Sequence, residues 1–188
     1  IGSMFKDYNL EQVNKIQVVK QADVVMLLYL LEHKFSKEVK KANYDYYEKR
    51  TLHDSSLSLS THSILASDID EKDLAYKLFQ EATKIDLGEN MKTSDHGIHA
   101  ASLGGLWQIV VNGFGGVRMV GGNLRINPKL PENWSRFTFS FMWRGNKLDI
   151  ELTKECIKIE VKDEILEEIE ILVYDKKYVL NQILKIKC

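Results

Sequence analysis

The sequence predicts a helical segment followed by an antiparallel β-sheet or small β-sandwich, and three observations predict it. Up to about Phe114 the apolar residues recur at helical spacing; after Asn112 the period drops to two, in short runs separated by glycine clusters. Both prolines, Pro128 and Pro131, fall in the second half. The first helical run is apolar on nearly every side, which marks burial inside a larger helical body rather than on a surface.

That run carries Val13, Ile16, Val19, Val24, Leu27, Leu28 and Leu31, and reads as one long helix over about 13–31. Ser36 is placed to cap a second helix that runs to about Lys49. A third begins after Asp54-Ser55-Ser56 and holds Leu57, Leu59, Ile64 and Leu65. A fourth spans about 70–84, with Leu74, Leu78 and Phe79 on one side, and a fifth covers 98 to about 111.

The second half begins with two turn clusters, Gly113-Phe114-Gly115-Gly116 and Gly121-Gly122-Asn123. Phe137–Trp143 alternates with period two, Arg144-Gly145-Asn146 turns the chain, and Lys147–Leu152 alternates back. Cys156–Val161, Ile169–Val173 and Ile183–Ile186 repeat the pattern, so hairpin-linked antiparallel strands with one wet face are expected. Residues 5–112 are thus expected to be helical and 113–188 to form a β domain. Residues 1–4, Ile-Gly-Ser-Met, read as an expression scar ahead of Met4.

Composition narrows the function classes. The 188 residues are 44% hydrophobic and 28% charged with a net charge of −1, an ordinary globular balance without the basic excess of a nucleic-acid or membrane-surface binder. The longest apolar run, Val24–Leu31, is far short of a membrane span. Cys156 and Cys188 build no disulfide framework, so a cytoplasmic location is the default expectation. A helical piece whose first helix is apolar on most faces is expected to be part of a larger body, and to self-associate through that face when alone.

Four stretches carry polar groups where chemistry can sit. Lys20-Gln21-Ala22-Asp23 places charges in the apolar first helix, where they either pair with each other or face a wet cavity. His53-Asp54-Ser55-Ser56-Leu57-Ser58 precedes a helix, and its hydroxyls serve either as cap and turn or as an anion site at the helix N-terminus. Thr93–Gln108 opens another helix and contains His96 and His99, three apart; no third ligand of suitable spacing accompanies them, so either each is a loop or core histidine or His99 is an anion donor. The Gly113–Arg118 run follows a helix and precedes a strand, the wrong order for a phosphate-cradling loop, and reads as an interdomain hinge.

Taken together, Val19-Lys20-Gln21-Ala22-Asp23-Val24, Tyr46–Thr51 with His53 and Ser55–Ser58, Gly97-Ile98-His99-Ala100-Ala101-Ser102 with Gly104-Gly105 and Trp107-Gln108, Gly113–Arg118, and Leu124–Trp134 resemble family 65 of the glycoside hydrolases, the maltose, trehalose and kojibiose phosphorylase family. The resemblance runs from Val19 to about Leu152. It implies the closing helices of an (α/α)6 barrel followed by a C-terminal sheet domain. It also implies a part of an inverting phosphorylase that converts an α-glucosyl disaccharide and inorganic phosphate into β-glucose 1-phosphate and glucose. Lys20 and Gln21 are then implied to bind the transferred glucosyl unit, and Ser55, Ser56 and His99 to hold phosphate. The family's acid, a Glu upstream of the Lys-Gln-Ala-Asp stretch, has no match here, so no catalytic residue is assigned and the chain alone is expected to be inactive. No cofactor or metal is implied; phosphate is a co-substrate. One departure from the family is Asp95-His96 before Gly97, where an acidic residue commonly adjoins the glycine.

Inverting phosphorolysis needs an acid for the leaving oxygen and a nucleophile on the opposite face of the sugar. Phosphate is already anionic, so donors that hold it in line replace a general base. Two other readings stay open: a family hydrolase using water, against which anion donors argue, and a stand-alone carbohydrate-binding or structural module. In the last, Trp134, Phe137, Phe139, Phe141 and Trp143 are either a sugar platform or core.

Overall fold

The computed structural model describes residues 7–53, 55–88, 97–162, 165 and 168–187. The chain divides into two compact units, Ile1–Ile109 and Val110–Cys188.

The first unit is helical: α1 (Leu10–Val13), α2 (Asp23–Leu30), a 3-10 turn at Glu32–Lys34, α3 (Lys37–Glu48), α4 (Ser58–Asp68), α5 (Lys72–Leu87) and α6 (Ala100–Gln108). Asn9 and Gln12 close α1 at its start with a reciprocal capping box, and Ser36 caps α3 through the Val39 N–H, as its sequence position predicts.

The long first helix is corrected by the structure. Between α1 and α2 the chain is extended at Val19, which forms a parallel bridge with Thr51. The Val19 N–H donates to Arg50 O at 2.9 Å and the Leu52 N–H to Val19 O at 3.2 Å, so the backbone groups a helix would use are committed sideways. Neighbouring Val18 and Val19 are β-branched and suit that conformation.

The helix buried on every side is instead α4, where Ser58 and Ser60–Ser67 are all buried. Helices α2, α3, α5 and α6 all pack against it. Small residues allow the close approach, and hydroxyls bond carbonyls instead of water: Ser63 Oγ donates to Ala75 O on α5 at 2.8 Å, and Ser60 Oγ to Leu57 O at 3.0 Å. On α2, Val25, Leu28 and Tyr29 face this interior, while Met26, Leu27, Leu30 and Leu31 are 42–60% exposed.

In the second unit eight strands form two four-stranded sheets. The first has the order β1-β2-β6-β7, from β1 (Val117–Val120), β2 (Asn123–Ile126), β6 (Ile169–Val173) and β7 (Lys176–Leu180). The second has the order β3-β4-β5-β8, from β3 (Arg136–Trp143), β4 (Asn146–Thr153), β5 (Cys156–Val161) and β8 (Ile183–Lys187). Alternation puts Leu148, Ile150 and Leu152, then Ile157, Ile159 and Val161, into one core with Leu124, Ile126, Ile169, Ile171 and Val173 of the other sheet. The opposite faces are charged, as in the Arg136–Glu151 pair at 2.7 Å and the Lys158–Glu160 pair at 2.8 Å.

Two features depart from the expected hairpin-linked antiparallel strands and glycine hinge. Strand β2 pairs with β6 in parallel, register Leu124 with Ile171, so β2 and β6 belong to one sheet although β3–β5, which separate them in sequence, form the other. The glycine run read as a hinge is buried and tied down: Asn127 N–H donates to Gly116 O, and Lys129 N–H to Phe114 O. Gly116 has φ +64°, and a Cβ there would lie 1.9 Å from Asn127 O. Only glycine fits that corner.

Candidate functional site

The serine turn ahead of α4 is built from its own hydroxyls and two histidines. Ser58 Oγ donates to Ser55 O at 3.2 Å, and Leu57 N–H donates to Ser55 Oγ at 3.4 Å. No side chain caps α4, whose N-cap is Leu57, so its first-turn N–H groups and positive dipole end lie beside half-buried Ser55 and Ser56. The hydroxyls thus divide: Ser58, Ser60 and Thr61 donate to the carbonyls of Ser55 and Leu57 just ahead of the helix, and Ser55 and Ser56 remain on its N-terminal side. Asp54 lies outside the described residues.

Behind the turn sit His53, His62 and Tyr44. His62 is fully buried, and its Nδ1–H donates to Ser58 O at 2.9 Å. His53 Nδ1 lies 3.1 Å from Ser58 Oγ; since that hydroxyl sends its proton to Ser55 O, the imidazole N–H is the donor. The two imidazoles meet edge to face at 4.7 Å, and Tyr44 meets His62 at 5.8 Å. Burial holds both histidines neutral, with His62 lowered to about 4, and burial pushes the Tyr44 phenol upward. Among the described residues, the Glu48 carboxylate lies 4.0 Å from His53 Nε2.

Lys20 and Gln21 lie in a bend between Val19 and α2 and are exposed, not embedded in a buried helix. No ion pair joins Lys20 to Asp23 among the described residues, so the intrahelical pair is not formed. The parallel bridge runs Val19 beside Thr51, and both segments leave it in the same direction, one through Lys20-Gln21 and the other through Leu52-His53 toward the serine turn.

His99 is the N-cap of α6, and it is fixed from α5. Its ring Nδ1 lies 2.7 Å from Asp86 Oδ1, and its backbone N–H reaches both carboxylate oxygens at 3.2 Å. The imidazole bond, then the backbone bond, holds the Asp86 carboxyl below its usual range. Among the described residues no hydrogen bond joins His99 to Ser55, Ser56, Lys20 or Gln21. Helix α6 is seated on α4 through Gly105 against Ser60. Thr93–His96 lie outside the described residues, and among those described no three His, Cys, Asp or Glu side chains could hold a metal ion.

The β3 aromatics face inward. Phe137, Phe139 and Phe141 stand opposite core residues Leu152, Ile150 and Leu148, and with Trp143 they pack partly buried against the sandwich core. Their stacking, 4.9 Å between Phe137 and Phe139, is a core ladder along β3.

The fold defines the class as a helical unit followed by an antiparallel-rich β-sandwich. Residues 2–108 match the model of the glycosyl hydrolase family 65 central catalytic domain, and residues 117–180 that of the family's C-terminal domain. The chain therefore belongs to glycosyl hydrolase family 65. It is 45% identical over 184 residues to a kojibiose phosphorylase of Halothermothrix orenii, covering 96% of this chain and 24% of that protein. It is 42% identical over 170 residues to an α,α-trehalose phosphorylase of Thermoanaerobacter brockii, covering 90% and 22%. A solved chain provisionally titled a kojibiose phosphorylase from the human microbiome superposes with a TM-score of 0.90 at 34% identity, covering 98% of this chain and 27% of that one. The chain spans about a quarter of the length of these relatives. No helix among the described residues is long and apolar enough to cross a membrane.

Proposed function

We propose that this chain serves an inverting glycoside phosphorylase, forming the closing helices of its (α/α)6 barrel and its C-terminal domain. The reaction passes the glucosyl unit of an α-glucosyl disaccharide to inorganic phosphate, releasing β-glucose 1-phosphate and glucose. Lys20 and Gln21 hold glucosyl hydroxyls; Ser55, Ser56 and His99 hold phosphate. No cofactor takes part, and the reaction runs in the cytoplasm.

The observation that carries the reading is the start of α4. A helix end without a side-chain cap, flanked by two half-buried serines, supplies N–H and O–H donors and a positive dipole end to an anion. The similarity to kojibiose and trehalose phosphorylases supports phosphate as that anion and an α-glucoside as its partner. Anion donors argue against a family hydrolase, which needs a base to activate water and not a phosphate cradle.

The direct test is binding to this chain, measured by calorimetry with inorganic phosphate and with glucose separately. Hydrogen bonds to charged groups are worth about 1.5–3 kcal/mol, so Ser55→Ala, Ser56→Ala and His99→Ala should each weaken phosphate roughly ten- to hundredfold. Lys20→Ala and Gln21→Ala should weaken glucose and leave phosphate alone. Phosphate affinity indifferent to all three substitutions overturns the assignment. No residue here is assigned the acid for the leaving oxygen, so the chain by itself should release no β-glucose 1-phosphate from kojibiose or trehalose; its release would reverse that expectation.

A further inference from the structure

The Asp86 carboxylate sits where helix physics disfavours it. It lies in the last turn of α5, next to the negative end of the helix, and aspartate is a weak helix former. Lys84 is the basic residue in that turn, but it pairs with Glu81 at 2.8 Å and not with Asp86. What Asp86 does hold is His99, with three contacts: the ring nitrogen at 2.7 Å and the backbone N–H to each oxygen at 3.2 Å. The carboxylate is 13% exposed and the imidazole 34%, so the pair is covered on the Asp86 side and open on the other.

A carboxylate only accepts, so the Nδ1 that faces it must carry hydrogen. The ring is then fixed in orientation with Nε2 turned away from α5. Nε2 is therefore the ring nitrogen left to meet an anion. We propose that Asp86 is the positioning residue for His99: it locks the imidazole at the start of α6 with Nε2 turned away from α5 to meet phosphate. This rests on the reading that His99 binds phosphate, and it adds a residue that reading does not contain. The design parallels metal-binding histidines, whose free ring nitrogen is oriented by a carboxylate behind them.

The test uses the intact chain. In wild-type protein, 15N spectra of the His99 imidazole should show Nδ1 protonated across the range in which the chain is folded. Asp86→Asn keeps the shape and removes the charge; it should weaken inorganic phosphate roughly tenfold, the lower end of what orienting partners are worth, and change the His99 15N signature. Asp86→Glu, which restores the charge, should recover most of that affinity and the signature. Unchanged phosphate affinity in Asp86→Asn, with His99→Ala still weakened, overturns the role of Asp86 and leaves the phosphate reading standing. Phosphate binding indifferent to His99→Ala overturns both. Should Asp86→Asn fail to fold, the wild-type spectrum still decides, because a Nδ1 without hydrogen overturns the proposal.

Discussion

Gly105 on α6 lies against Ser60 on α4 so closely that a Cβ on the glycine would stand 2.6 Å from the serine Oγ and 2.8 Å from its Cβ. Helix α6 carries His99 at its start, so this contact sets how the helix and its histidine are seated on α4. Gly105→Ala should cost about 1–3 kcal/mol by overpacking, read as a lower urea midpoint of the helical unit. Ser60→Ala should not rescue it, because the serine Cβ remains; Ser60→Gly should.

Stability should fall as the solution is acidified through the range that charges His62. The unfolded imidazole takes its proton near 6.5 and the folded one resists until about 4. Between those values the unfolded chain binds more protons, so stability is full above about 6.5, declines through the window, and loses nothing further to His62 below about 4. The difference corresponds to roughly 3 kcal/mol. Burial lowers His53 as well, in the same sense. Urea midpoints measured against pH should show the slope, and His62→Gln should flatten it.

Two kinds of glycine should behave differently. Gly116→Ala meets both a left-handed φ and the Asn127 backbone, and should cost well over ~3 kcal/mol or prevent the sandwich from folding. Gly121→Ala has a left-handed φ of +57° but open space around it, and should cost only about 1 kcal/mol. Thermal melts of both variants separate backbone strain from collision.

The apolar residues Met26, Leu27, Leu30 and Leu31 on and just after α2 should pair with another surface at micromolar concentration. Covering even ~300 Å² is worth roughly 7 kcal/mol at about 25 cal/mol per Å². Sedimentation should show a dimer or larger species, and Leu27→Glu with Leu30→Glu should return a monomer. A wild-type monomer would count against association through this face.

Much of this molecule was legible from periodicity. The alternation of Phe137–Trp143, Lys147–Leu152, Cys156–Val161 and Ile183–Ile186 picks out one whole sheet. Strand β7 escaped because its turn, Tyr174-Asp175, adopts φ +46° and +60° without a glycine to announce it. Strands β1 and β2 hid between glycine clusters, being four residues each. The parallel pairing of β2 with β6 leaves no local trace at all.

Among the helices, apolar content misled. Val19 fitted a helical face, but its backbone pairs with Arg50 and Leu52 instead. The true central helix, α4, is rich in Ser and carries His62, and no periodicity scale marks such a helix as interior. The serine and histidine motifs were visible; that Asp86 holds His99 was not, since contacts 13 residues apart follow only from how α5 and α6 pack. An aspartate in the last turn of a helix was the one available signal.

The parallel register of Leu124 with Ile171 also sets an order of events during folding. The β1–β2 and β3–β4 hairpins close over two residues each and can form as soon as their strands exist. Strand β2 must wait for a partner more than forty positions later, with three strands of the opposite sheet in between. Closing so long a loop is an entropic cost that comes before the contacts that reward it. Until β6 arrives, Leu124 and Ile126 lack their cross-strand partners on β6, so the slow step of this unit should be the docking of β6, and substitutions at Ile171 should slow overall folding while leaving hairpin formation unchanged.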